Sequence, residues 1–128
     1  MTSYVVDSWA WVEYLRGSKA GQAVKKELES GSETLTNVVT LAELASKLTR
    51  ERLDLESAWR AITALSKTIT VKETDAKDAG ILHATMKETT PNFSLADAFV
   101  LQTARKHGCR ILTGDPDFKG IKEARILT

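Results

Sequence analysis

Short apolar, β-rich runs alternate with helical stretches along this chain, and an early and a late run each end on an aspartate. Tyr4-Val5-Val6 runs into Asp7, and Ile111-Leu112-Thr113-Gly114 runs into Asp115, with Asp117 two residues on. Strands alternating with helices indicate a parallel sheet with helices on both faces. The carboxyl ends of such strands line one edge of the sheet, and ligands bind there. A third aspartate, Asp97, sits inside the apolar run Leu95–Leu101. Carboxylates gathered at one edge repel by roughly 4 kcal/mol per pair at about 4 Å and an effective dielectric near 20. Protons or a hard divalent cation must offset that repulsion. The cation reading points to phosphate chemistry.

Local signals place the elements. The first strand is about Tyr4–Val6. Ser8 can cap a helix Trp9–Arg16 that Gly17 ends, and Ser18 can cap a second, Lys19–Glu29. Thr34–Thr36 is a short strand candidate. A helix over Val39–Arg52 aligns Leu41, Leu44, Ala45 and Leu48 on one stripe. Asp54 can cap Leu55–Ser66, and β-branching makes Thr68–Val71 a strand. Thr74 can cap a helix to about Lys87. Ser94 caps Leu95–His107, which Gly108 terminates. Arg110–Thr113 and Ala124–Leu127 complete the strands.

Composition narrows the chemistry. A length of 128 residues is one domain, with no linker or repeat inside it. The net charge of +1 gives no global field for nucleic acid, so any contact with it must come from local patches. The single cysteine, Cys109, and two histidines exclude an internal disulfide and leave little for a zinc centre. No apolar stretch approaches the roughly 20 residues of a membrane span. The start of the chain has no basic segment followed by an apolar one, so the expectation is a cytoplasmic protein.

Each acid has a plain reading beside its functional one. Asp97 shares a helix face with Val100, Leu101 and Ala104, where an aspartate is costly unless paired or metal-bound. Ser94-Leu95-Ala96-Asp97 also resembles a capping box, and acids suit the first turn. Asp7 and the Asp115-Pro116-Asp117 run both read as turn residues when taken alone. Glu43 points away from its helix's apolar stripe, with Lys47 four residues on, and periodicity alone makes it a solvated acid. Lys47, Arg50 and Arg52 cluster at the end of that helix, either as a solvated face or as a phosphate-contacting ridge. Trp9, Trp11, Val12, Tyr14 and Leu15 give one short helix more apolar surface than a single buried face needs. Two core contacts explain it, and so does a groove for an amphipathic partner segment with aromatic anchors.

Taken in order, Asp7 after the first strand, Glu43 in Val38-Val39-Thr40-Leu41-Ala42-Glu43-Leu44, Asp97 in Leu95-Ala96-Asp97-Ala98, and Thr113-Gly114-Asp115-Pro116-Asp117-Phe118 resemble the PIN-domain pattern. Length and motif order resemble its VapC-type toxins, and the resemblance covers nearly the whole chain. It implies an α/β fold: a single three-layer α/β/α domain over residues 1–128, with about five parallel strands in the order 3-2-1-4-5. It implies Mg²⁺- or Mn²⁺-dependent cleavage of RNA, a homodimer, and inhibition by a small cognate antitoxin. It assigns catalysis and metal binding to Asp7, Glu43, Asp97 and Asp115, with Asp117 an occasional extra ligand and Thr113 a supporting hydroxyl. It thereby overrides the solvated reading of Glu43. One departure stands out: many members carry a hydroxyl residue two places after the first aspartate, and here that residue is Trp9. Ser8 or a water must then compensate.

The implied chemistry is coherent. Mg²⁺ takes oxygen ligands near 2.1 Å and keeps several waters. Such an ion orients and acidifies a water for in-line attack on a phosphodiester, so no serine, cysteine or histidine nucleophile is required. Two rivals differ in class. A receiver-like phosphotransfer domain also gathers strand-end aspartates around Mg²⁺, but calls for an acid pair after the first strand and a lysine after a late one. A non-catalytic PIN module acting as an RNA-processing scaffold would bind without turnover.

Overall fold

The structure is a computed structural model that describes residues 2–127. The first and last positions of the expected 1–128 domain lie outside the described residues. Five parallel strands form one sheet in the order β3-β2-β1-β4-β5, as the resemblance implied. They are β1 (Ser3–Val6), β2 (Glu33–Asn37), β3 (Lys67–Ile69), β4 (Arg110–Thr113) and β5 (Ala124–Ile126). Six helices connect them: α1 (Ser8–Arg16), α2 (Lys19–Leu28), α3 (Val38–Arg50), α4 (Leu55–Leu65), α5 (Glu73–Lys87) and α6 (Leu95–His107).

The period of two along the central strands divides the core into two layers. Tyr4 and Val6 of β1 and Leu112 of β4 face one side, where Trp11, Val24, Leu41, Leu44 and Ile62 cover them. Val5 and Ile111 face the other, against Phe93, Ala98, Leu101, Ala104 and Cys109. Helices α1 to α4 therefore supply one layer and α6 the other, with α5 reaching it through Leu82 and Met86.

Several boundaries move for identifiable reasons. Asp7, not Ser8, caps α1: its extended backbone lets the carboxylate accept from the Ala10 N–H at 2.9 Å. Asn37 caps α3, so that helix starts at Val38. It ends at Arg50, because the chain turns out of the helix through Arg52 at φ 56°. Strand β3 stops at Ile69 because β2, its only neighbour among the described residues, ends at Asn37, opposite it. Helix α5 begins at Glu73 rather than after Thr74, since the Asp75 carboxylate accepts from the Lys72 N–H at 3.0 Å. Pro116–Phe118, read from the sequence as a turn, closes into a single 3₁₀ turn.

Candidate metal centre

Register brings the first two acids together. β1 and β4 are adjacent, and Val6 pairs with Leu112, so Asp7 and Asp115 leave neighbouring strand ends. Asp97 arrives in the first turn of α6. The Ser94 hydroxyl accepts from the Asp97 N–H at 3.0 Å, and the Asp97 carboxylate accepts from the Ser94 N–H at 2.9 Å. The capping-box reading of Asp97 therefore holds, and the box fixes the carboxylate at the sheet edge. Asp117 is presented by the 3₁₀ turn, where its N–H donates to Asp115 at 2.9 Å. One carboxylate oxygen each from Asp97, Asp115 and Asp117 lies within 4.8 Å of the other two.

Asp7 and Glu43 flank this trio. Asp7 is buried, with 3 % of its surface exposed. Burial pushes its carboxyl up to about 7, helped by the charges of Asp115 and Asp97 and opposed by hydrogen bonds from Thr113 and Ala10. The Thr113 hydroxyl donates to Asp7 and accepts from the Asp115 N–H at 3.0 Å, so it ties the two strand-end acids together. Glu43 is half-buried. Burial raises its carboxyl above the ordinary range, Asp97 and Asp115 add to the rise, and the Ser8 hydroxyl opposes it. Burial likewise raises Asp97, against its Ser94 bonds and with the charges of Asp115 and Asp117. The five acids thus form one electrostatically coupled group.

The periodicity reading of Glu43 fails here. Its expected partner Lys47 pairs instead with Glu51 at 3.5 Å, an acid that Arg16 also reaches at 3.1 Å. Position 43 lies beside the apolar stripe of α3 but faces the start of α6, a neighbour that spacing within one helix does not show. Ser8, which does not cap α1, sits beside Glu43 and hydrogen-bonds its carboxyl.

Among the described residues, no salt bridge reaches Asp7, Glu43, Asp97, Asp115 or Asp117. A group of oxygen-only donors with no cationic partner suits a hard divalent cation such as Mg²⁺ or Mn²⁺. The residues present therefore fit such an ion, with Asp117 as close to the centre as Asp97 and Asp115.

The aromatic helix resolves in two ways. Trp11 is fully buried, its indole N–H donating to the Thr36 hydroxyl at 3.0 Å, and Val12 is buried too. Trp11 is a core residue, which corrects its candidacy as an exposed anchor for a partner, whereas Val12 also borders the cleft that Trp9 lines. Trp9, Tyr14 and Leu15 stay half-buried. Trp9 lines a cleft of about 340 Å³ with Ser8, Arg16, Lys47 and Asp115. The proposed basic ridge is dispersed: Lys47 borders that cleft, Arg50 bonds back to the Ser46 carbonyl at 3.3 Å, and Arg52 lies beyond the helix.

Comparison with known proteins agrees with the architecture. Residues 4–124 match the PIN domain family. No curated protein matches the sequence. Among solved structures, VapBC2 of Rickettsia felis, bound to a promoter DNA fragment, superposes with TM-score 0.76 at 13 % identity, covering 99 % of this chain and 100 % of that one. VapC20 of Mycobacterium tuberculosis, a sarcin–ricin loop cleaving toxin, gives 0.73 at 21 % identity, covering 96 % and 99 %. A toxin–antitoxin complex from Klebsiella pneumoniae gives 0.71 at 19 % identity, covering 96 % of each chain.

Proposed function

The chain belongs to the PIN domain family, and on that premise we propose that it is a Mg²⁺- or Mn²⁺-dependent endoribonuclease, the toxin of a toxin–antitoxin pair. The observation that carries this reading is the convergence of Asp97, Asp115 and Asp117 beside Asp7 and Glu43 without a cation from the protein. Asp7, Asp97, Asp115 and Asp117 would hold the metal, with Glu43 at the rim. A bound divalent cation acidifies a water and offsets the charge that builds on the phosphate.

The protein's own groups do the rest. Thr113 and the Ala10 N–H fix Asp7 from two sides and hold it in one orientation. Ser94 does the same for Asp97. Glu43, its carboxyl raised above the ordinary range, would take a proton from the attacking water. Water attack leaves a 5′-phosphate and a 3′-hydroxyl.

The structural neighbours include complexes with antitoxins, which supports a small antitoxin as partner. Its seat would be the outer side of α1, where Tyr14 and Leu15 border one cleft and Leu15, Leu48 and Leu53 border another. The active form would be a homodimer in the cytoplasm. Among the described residues, no helix is long and apolar enough to cross a membrane.

The test is to map RNA ends after brief expression of the wild type and of Asp97→Asn. Asparagine keeps the side-chain oxygen of the capping box, so the fold is retained. New 5′-phosphate ends with the wild type alone support the reading. Cleavage by Asp97→Asn at the wild-type rate overturns the assignment. Metal binding without any new ends favours the scaffold reading instead.

A further inference from the structure

A nuclease centre made of five acids repels the phosphodiester backbone it must hold, so the strand needs cations elsewhere. The segments carrying Asp97 and Asp117 are joined by Phe93 and Phe118, both fully buried, whose rings meet edge to face with centroids 5.5 Å apart. Chain segments next to each of these residues line a cleft of about 710 Å³. Thr89 and Thr90 line it just before Phe93, and residues 119–123 line it just after Phe118. Each wall is fixed to an acid-bearing segment. The Thr90 carbonyl accepts from the Phe93 N–H at 3.0 Å, and the Lys119 N–H donates to Pro116 at 3.0 Å.

The cleft is basic in a chain whose net charge is only +1. Arg105, Lys119 and Lys122 line it against one acid, Glu123. Arg105 and Glu123 pair at 3.2 Å. Lys119 and Lys122 are exposed and make no salt bridge among the described residues. No aromatic ring lines the cleft, so it offers no stacking platform for bases. Ammonium groups and threonine hydroxyls are phosphate-binding groups that carry no base specificity.

We propose that this cleft seats the RNA backbone on the Asp117 side of the scissile bond, with Lys119 and Lys122 neutralising one phosphate each. The proposal rests on the ribonuclease reading and adds the path of the substrate to it.

The test uses a labelled RNA hairpin with a ten-nucleotide loop in Mg²⁺. Binding is measured in the Asp97→Asn background, with and without Lys119→Ala and Lys122→Ala, across a salt series. Each lost phosphate contact to a single strand lowers the salt slope by about 0.7, which is roughly fivefold in affinity at 0.1 M salt. The double replacement should therefore weaken binding by roughly 25-fold and flatten the slope by about 1.4. In the otherwise wild-type enzyme it should raise KM while kcat and melting temperature hold. Unchanged affinity and slope, in an enzyme that cleaves RNA, overturn the cleft and leave the nuclease intact. Loss of dimerisation with RNA binding unchanged makes the cleft a face between copies, which also overturns the proposal. A wild type that neither binds nor cleaves RNA overturns the ribonuclease reading, and the cleft falls with it.

Discussion

The indole of Trp9 occupies the space that a side chain at Gly114 would need. A Cβ at 114 would stand 2.2 Å from Trp9 Cη2, 2.4 Å from Cζ2 and 2.5 Å from the Leu127 carbonyl oxygen. Trp9 thus fills the region beside Asp115 with an aromatic ring, and only glycine after Thr113 admits it.

Gly114→Ala should therefore cost about 1–3 kcal/mol, the usual range for overpacking against groups that shift little. The ring edge is one obstacle and the Leu127 backbone the other, so Trp9→Ala in the same chain should restore only part of the loss. Urea denaturation of the two single variants and the double variant measures the coupling. Strict additivity would mean the two residues do not share this space.

The carboxyl of Asp7, pushed up to about 7, predicts an unusual pH profile without metal. Between about 4 and about 7 the folded state holds a proton that the unfolded chain has released, so stability falls as pH rises through that window. Asp7→Asn should reduce this slope, leaving the part that the raised carboxyls of Glu43 and Asp97 contribute. Mg²⁺ competes with the proton, so its stabilising effect should grow from pH 5 to pH 8. Melting temperatures in chelator and in Mg²⁺ across that range test both signs. A wild-type profile that Asp7→Asn leaves unaltered would contradict the assignment.

The Thr40 hydroxyl is buried, with 1 % of the residue exposed, and it has no hydrogen-bond partner among the described residues. Replacing both a polar group and its unmet demand by an isosteric methyl removes a desolvation cost of about 1–3 kcal/mol. Thr40→Val should accordingly stabilise the protein by about 1 kcal/mol, read as a higher midpoint in urea. A loss of stability would show that the hydroxyl is satisfied in solution.

For the partner, Leu53 is 50 % exposed and borders the cleft shared by α1, α3 and α4. Leu53→Asp should hold the melting temperature and sharply lower co-purification of a small protein encoded just upstream. Tyr14→Ala should lower it as well. Full retention by both variants would move the antitoxin seat away from the outer side of α1.

The strands, the helices on both faces of a parallel sheet and the capping of α6 were legible because they follow from local rules, whereas the strand order came only with the family resemblance. β-branched runs ending on acids mark the strands, and Ser94 followed by Asp97 marks the cap. Glu43 was not legible from spacing, since what decides its role is the start of α6, more than fifty residues later in the chain. Trp11 and Tyr14 were ambiguous for a similar reason. Both are aromatic on one helix, yet only the long-range bond to Thr36 shows which belongs to the core. The cleft at Lys119 and Lys122 gave no local signal, because its opposite wall comes from the end of α5.

The central claim is that the acidic edge is a divalent-metal centre that cleaves RNA. Titration of Mn²⁺ into the wild type and Asp115→Ala by calorimetry, with RNA cleavage followed in the same buffers, tests it most directly. Wild type should bind Mn²⁺ saturably, binding should be weakened or lost in Asp115→Ala, and chelator should abolish cleavage that Mn²⁺ restores. Cleavage that continues at full rate in chelator, or equal Mn²⁺ binding by Asp115→Ala, would contradict it.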